Sequence, residues 1–156
     1  MGIAGHVRFA VEPFRDAYGE AGPLLTAHWN EIAKNKHLLR LNPDENLYER
    51  AGNNLLLVTA RDGQKLVGYF LWFLLGHAHY KHVLVAEEDL HFLLPEYRRG
   101  WTGYGLIKAA CEAALARGAE LLVMREKIGH EHAAIMHRLK FAPTDIVYTR
   151  TAKEAG

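Results

Sequence analysis

At 156 residues, 49% hydrophobic and 24% charged, the chain is long enough to bury most of its apolar surface in one core, and a single domain over residues 1–156 is expected. Nineteen basic residues against eighteen acidic ones leave a formal net charge of +1, which gives no overall electrostatic footprint for nucleic acid or an anionic membrane. The one cysteine, Cys111, excludes an internal disulfide, and no apolar run reaches membrane-spanning length; the richest, 66–75, is interrupted by Gly68. The N-terminal MGIAGH lacks the basic and apolar regions of a signal peptide, and His6 stands where a myristoylation signal wants Ser or Thr. A soluble, cytosolic protein is the expectation.

In chain order, VRFAV (7–11) predicts a short strand that ends near Pro13. PLLTAHWNEIAK (23–34) places Leu25, Trp29 and Ile32 on one helical stripe, with Pro23 suited to the first turn. NPDENLYERAG (42–52) reads as a short second helix, with Asn42 as cap and Gly52 as terminator. NLLLVTA (54–60) and KLVGYFLWFLL (65–75) are strand candidates joined through Arg61-Asp62-Gly63-Gln64, and Asp-Gly is a strong hairpin signal. After the His-rich turn GHAHYKH, residues 82–95 form the next predicted strand. Ile107, Ala110, Cys111 and Ala114 then mark the buried stripe of a helix that Gly118 closes. AELLVMR (119–125) predicts a buried strand, HEHAAIMHRL (130–139) a helix, and TDIVYTR (144–150) a final strand. The order β-α-α-β-β-β-α-β-α-β defines a mixed α/β domain with a parallel pair near the middle of its sheet.

The stretch LLPEYRRGWTGYGLIKAACEAALARG, 93–118, passes from strand through a glycine-containing turn into a helix. Such a junction leaves backbone N–H groups unpaired at the positive end of the helix dipole, and these attract phosphate. Gly100 and Gly103 allow close approach of a ligand, and Arg98 and Arg99 add charge at the rim. Neither the dinucleotide G-x-G-x-x-G nor the P-loop G-K-[ST] is present.

Pro95-Glu96-Tyr97-Arg98, followed by the turn Arg98-Arg99-Gly100-Trp101-Thr102-Gly103 and Leu106-Ile107, resembles the acetyl-CoA signature of the GNAT superfamily of N-acyltransferases. The strand-helix order is similar to that fold nearly end to end: a central, mostly antiparallel sheet with a splayed parallel pair, flanked by helices. Together with the GHAHY hairpin (76–80), Pro-Glu-Tyr-Arg is similar to bacteriophage-type members, which would place the protein in a host cytoplasm. The resemblance implies acetyl-CoA as acyl donor. The backbone of Leu93 and Leu94 would meet its pantetheine arm, and Arg98, Arg99, Gly100, Trp101, Thr102 and Gly103 would surround the pyrophosphate. It also implies a primary amine as acceptor (a small molecule, or a protein lysine or N-terminus), and a homodimer is common in that superfamily. Trp101 departs from the pattern, standing where the first turn glycine is usual; either Gly100 supplies the close approach one residue early, or the turn opens differently, or cofactor binding is weakened or lost. Packing on the core is the expected use of its ring, although it could also lie beside the adenine or pantetheine.

Direct attack of a neutral amine on a thioester needs a base for the ammonium proton and a donor for the oxyanion. Glu87, Glu88 and Asp89 lie on the strand leading to the cradle. Alternation would put Glu87, Asp89, His91 and Leu93 on one face and Glu88, Leu90, Phe92 and Leu94 on the other. Asp89 and His91 are thus the preferred catalytic pair, with Glu88 as a further carboxylate. The family's leaving-group acid is a tyrosine near a Gly-Phe pair; counting back from Phe141 puts Met136 there, and Lys140 replaces the glycine. Tyr148 or His137 would have to substitute, or the thiolate leaves without an acid.

His77, His79 and His82, and the group His130-Glu131-His132 with His137, lack the spacing and fourth ligand of a zinc site, so no metal is expected. Cys111 reads as a small core residue, and Trp29 and Trp72 as core aromatics, although Trp29 could wall an acceptor pocket. The leading reading is an acetyl-CoA-dependent N-acetyltransferase. A non-catalytic module of the same fold, binding CoA or a protein partner, is the alternative that Trp101, Met136 and Lys140 favour. Nucleic-acid binding has only the basic spots 34–40 and Arg98-Arg99 in its support.

Overall fold

The computed structural model describes residues 6–152; the expectations placed on Met1–Gly5 lie outside them. Five strands form one sheet in the order β1-β2-β3-β4-β5: β1 (Val7–Val11), β2 (Leu55–Asp62), β3 (Lys65–Gly76), β4 (Leu84–Leu93) and β5 (Leu121–Val123). The first four are antiparallel neighbours, and β4 pairs with β5 in parallel. α1 (Phe14–Ile32) and α2 (Glu45–Ala51) cover one face, while α3 (Thr102–Ala116) covers the other, with α4 (Ala133–Arg138) beside it.

β2 and β3 read as unbroken apolar runs because both of their faces are buried. Val58, Phe70 and Trp72 pack toward Leu106, Ile107 and Ala110 of α3, whereas Leu57, Tyr69 and Leu71 pack toward Ala17 and Leu24 of α1. Trp72 has no exposed surface, and its indole N–H donates to the Ala110 carbonyl at 2.9 Å, so its burial strands no polar group. The β2–β3 hairpin turns on Gly63-Gln64 alone, with Asp62 opposite Lys65.

Several elements differ from expectation for local reasons. α1 starts at Phe14, after Pro13 in the cap position, and runs through Pro23 instead of beginning there. Ala17, 2% exposed, continues the buried stripe of Leu24 upstream of the proline, and that packing outweighs the lost backbone bond. α2 is capped by Asp44, whose Oδ1 accepts the Leu47 N–H at 3.1 Å, not by Asn42. β5 is only Leu121–Val123 and is partly exposed. Residues 144–150 form no strand: Ile146, Val147 and Tyr148 are 78%, 63% and 88% exposed. With no sixth strand beyond β5 among the described residues, the parallel pair lies at the sheet's edge and not near its middle.

β4 and β5 stay together only over Val85–Glu87 and Leu121–Val123. β4 then runs six residues further, to Leu93, with β3 alone as its partner. The strands therefore part, and the opening leads toward the N-terminus of α3.

Candidate active site

The strand that borders this opening contains a β-bulge. Leu71 pairs with Leu90 and Trp72 with Glu88, so Asp89 is the extra residue. The bulge reverses the face of everything after it. Glu88 and His91 both lie on the α3 side, and Asp89 and Leu90 on the α1–α2 side. The expectation that Asp89 and His91 share a face is thus overturned. The couple that forms is Glu88 and His91, with Glu88 Oε1 3.0 Å from His91 Nδ1.

Glu88 is 7% exposed, and its other oxygen accepts the Arg125 N–H at 3.3 Å, where the chain leaves β5. The carboxylate therefore sits in the crotch between the parting strands. The His91 ring stacks on Phe70 (5.2 Å between centroids, 13° between planes) and meets His132, at the start of α4, edge-on at 5.6 Å. Asp89 instead accepts a 2.8 Å hydrogen bond from Tyr48 Oη. Partial desolvation raises its pKa, with the Tyr48 bond pulling the other way. Tyr148 is too exposed to be enclosed in the opening, and Met136, where the sequence resemblance would expect a tyrosine, packs partly buried against the α3-side core.

At the far end of the opening, the N–H groups from Arg99 through Tyr104 have no hydrogen-bond partner among the described residues; the next, Gly105, donates to Trp101 O at 2.8 Å. Gly100 takes φ +71°, the left-handed conformation that turns the chain here, so the tight turn falls one residue before Trp101. A Cβ at Gly103 would meet only Ile135 Cδ1, at 4.0 Å, so the cradle is open above it. Trp101 does not pack on the core. It is 64% exposed, with its ring edge-on to Tyr104 and the Arg138 guanidinium 4.7 Å above it. Arg138, on α4, thereby joins Arg99 as a cation beside the cradle.

Arg98 is otherwise employed. Its Nε donates to Leu93 O at 2.8 Å, and both terminal nitrogens reach the Glu31 carboxylate at 2.7 Å. That fork pins the end of α1 to the end of β4, so Arg98 shapes the cradle's base without facing it. Leu94 N–H donates to Val67 O of β3; by alternation, the Leu93 N–H faces the side that β5 has vacated.

On the α1 side of the sheet, a cleft of about 290 Å³ is lined by Leu25, Trp29 and Ile32 of α1, Leu39 and Leu41 of the α1–α2 connection, Leu90, and Lys34 and Lys127. His28 lines it too. It is 8% exposed, hydrogen-bonded through Nδ1 to Tyr69 Oη at 3.0 Å and stacked on Phe92. Burial, with the nearby His91 adding to it, lowers its pKa to about 4. Sequence reasoning missed His28 because it centred the stripe of α1 on Trp29; the spacing Ala17, Leu24, His28 was the available signal. Trp29 is only half-buried and walls the cleft. Cys111 is buried, and desolvation pushes its thiol up to about 11, which keeps it protonated. Among the described residues, no three His, Cys, Asp or Glu side chains converge as metal ligands, and no helix is long and apolar enough to cross a membrane.

This architecture is found in solved N-acetyltransferases. A ribosomal-protein-alanine N-acetyltransferase from Brucella melitensis biovar Abortus 2308 superposes with a TM-score of 0.71 at 20% identity, covering 93% of this chain and 96% of that one. An aminoglycoside acetyltransferase from an uncultured soil metagenomic sample gives 0.69 at 16% identity, over 94% and 95% of the two chains. Glucosamine-6-phosphate N-acetyltransferase from Arabidopsis thaliana gives 0.69 at 5% identity, over 94% and 98%. No protein-family model and no curated protein sequence matches the chain. The fold is GNAT-like: a mixed sheet with a parting parallel pair, helices on both faces, and a strand-turn-helix junction at the opening.

Proposed function

We propose that the chain, residues 1–156 acting as one unit, is an N-acetyltransferase that carries an acetyl group from acetyl-CoA to a primary amine. The observation that carries this reading is the unpaired N–H run from Arg99 to Tyr104 at the end of the opening between β4 and β5. Those donors, with Arg99 and Arg138 beside them, suit a pyrophosphate, and the free N–H of Leu93 suits an extended amide arm. Acetyl-CoA supplies the activated acyl group. The bacteriophage-type placement and a cytoplasmic setting rest on the sequence resemblance already described.

His91 takes the proton of the acceptor ammonium, and Glu88, bonded to its Nδ1, orients the ring and stabilises the imidazolium. The freed amine lone pair forms the new C–N bond and the C–S bond breaks. The second N–H proton passes to water as the amide forms, and the departing thiolate takes one proton back from water, so that the proton held by His91 is the one net proton released. This assignment needs no tyrosine at Met136. The test is CoA release over a panel of primary amines, comparing the parent with His91→Gln and Glu88→Gln. His91→Gln is expected to lower kcat by about a hundredfold or more while acetyl-CoA affinity is kept, with a smaller loss for Glu88→Gln. Acetyl-CoA binding without CoA release from any amine would leave the alternative, a non-catalytic CoA-binding module.

A further inference from the structure

We infer that the acceptor is a small, largely apolar amine that itself carries an acidic group, held in the cleft beside Trp29; the inference rests on the acetyltransferase reading above. The walls are apolar on three elements: Leu25, Trp29 and Ile32, then Leu39 and Leu41, then Leu90. The ionisable side chains among the lining residues are His28, Lys34 and Lys127, and no carboxylate is among them. His28 is neutral at physiological pH, since burial holds it near 4. The charged groups on the cleft's own walls are therefore the two lysines, while Glu88, Glu31 and Arg98 act on His28 from behind them.

Both lysines are exposed, and neither has an ion-pair partner among the described residues. Of the carboxylates nearby, Glu31 clamps Arg98 and Glu126 accepts from His132, while Glu131, off the cleft walls, accepts the Gly129 N–H and lies within electrostatic reach of Lys34. A polycationic acceptor would thus meet two like charges without a counter-charge on the walls, whereas a carboxylate or phosphate would find two donors. The volume, about 290 Å³, is near the lower end of small-ligand sites, which favours a compact molecule over a folded protein surface. Leu90 belongs both to this cleft and to β4, while His91, next along the strand, lies on the other face. Lys127 lines the cleft two residues after Arg125, whose N–H reaches Glu88, so the cleft borders the opening between β4 and β5 and the amine would meet His91 through that opening.

The test uses a matched pair, 4-(aminomethyl)benzoate and 4-methylbenzylamine, which share a ring and a primary amine and differ in the carboxylate. The parent protein is expected to favour the carboxylate member in kcat/KM by about tenfold or more, the worth of one charge-assisted bond. In Lys34→Ala/Lys127→Ala, that ratio should collapse toward one, and Lys34→Glu/Lys127→Glu should invert it. Equal use of the pair by the parent, an unchanged ratio in the double variants, or preference for an aminoglycoside would overturn the inference. Equilibrium binding of the two amines, followed by ligand-observed NMR, separates the two readings. Carboxylate-selective binding without turnover would sink the acetyltransferase reading alone, and turnover without selectivity would sink this one alone.

Discussion

Lys140 has φ +64°, a backbone conformation that side chains with a Cβ rarely adopt. It occupies the left-handed position that ends α4: its own N–H bonds to His137 O at 3.1 Å, and the next, Phe141 N–H, bonds to Met136 O at 2.9 Å. The resemblance anticipated glycine at this position, and the geometry explains the preference, because the closing turn survives here with a lysine under strain. Lys140→Gly should therefore stabilise the fold by about 1 kcal/mol, read as a rise in the midpoint of thermal unfolding; no rise would mean the turn is not strained. The contacts among the candidate site residues were legible only in part. Glu88, Asp89 and His91 were identified from residue type and position, but a single inserted residue at Asp89 changes which of them meet. A bulge is set by the fit of two strands to each other, and neither strand's alternation announces it. Trp101 was misjudged for a related reason. An aromatic ring is usually worth burying, yet position 101 caps a helix whose buried stripe begins only at Leu106.

At the level of elements, α1 carries the largest difference and the strand-turn-helix order of residues 93–118 the closest agreement. A helix that begins nine residues earlier than Pro23 implied presents two stripes, one through Ala17, Leu24 and His28 to the sheet and one through Leu25, Trp29 and Ile32 to the cleft. Burying His28 neutral makes stability depend on pH. The unfolded chain takes up the proton near 6.5 and the folded chain only near 4, so the contribution is complete above 6.5 and declines as pH falls toward 4. Denaturant unfolding should lose about 2 kcal/mol between pH 7.5 and 5, and His28→Gln should flatten that slope. Glu12 and Glu31, whose pKa values are lowered chiefly by hydrogen bonds from Arg61 and Arg98, add their losses in a more acidic window, below 4.5. In the cradle, Gly103 and Gly105 have different duties. A Cβ at Gly105 would fall 2.7 Å from Phe9 of β1, whereas Gly103 faces open space. Gly103→Val is accordingly expected to keep the melting temperature and lose acetyl-CoA binding, while Gly105→Val should lower the melting temperature. Normal acetyl-CoA binding by Gly103→Val would displace the cradle from this turn.

Across the whole molecule, topology was legible through β5 because it follows from alternating apolar segments and short connections, which the chain displays plainly. The last predicted strand failed because strand propensity in 144–150 needs an edge to join, and β5 offers only three residues. That short β5 is also what lets β4 stand free along the opening, so the missing pairing and the proposed site are one feature of the sheet. A ligand lying there would add bonds to groups that now have none, at the end of β4 and at the start of α3. Binding confined to the folded state stabilises by about 2.7 kcal/mol at a hundred times the dissociation constant. For a chain of this length that corresponds to a rise in unfolding midpoint of about 5–11 °C. Acetyl-CoA should produce that rise in the parent protein and not in Gly103→Val. An equal rise in both would show binding outside the cradle, and no rise in either at millimolar acetyl-CoA would turn the reading toward a module whose partner is a protein.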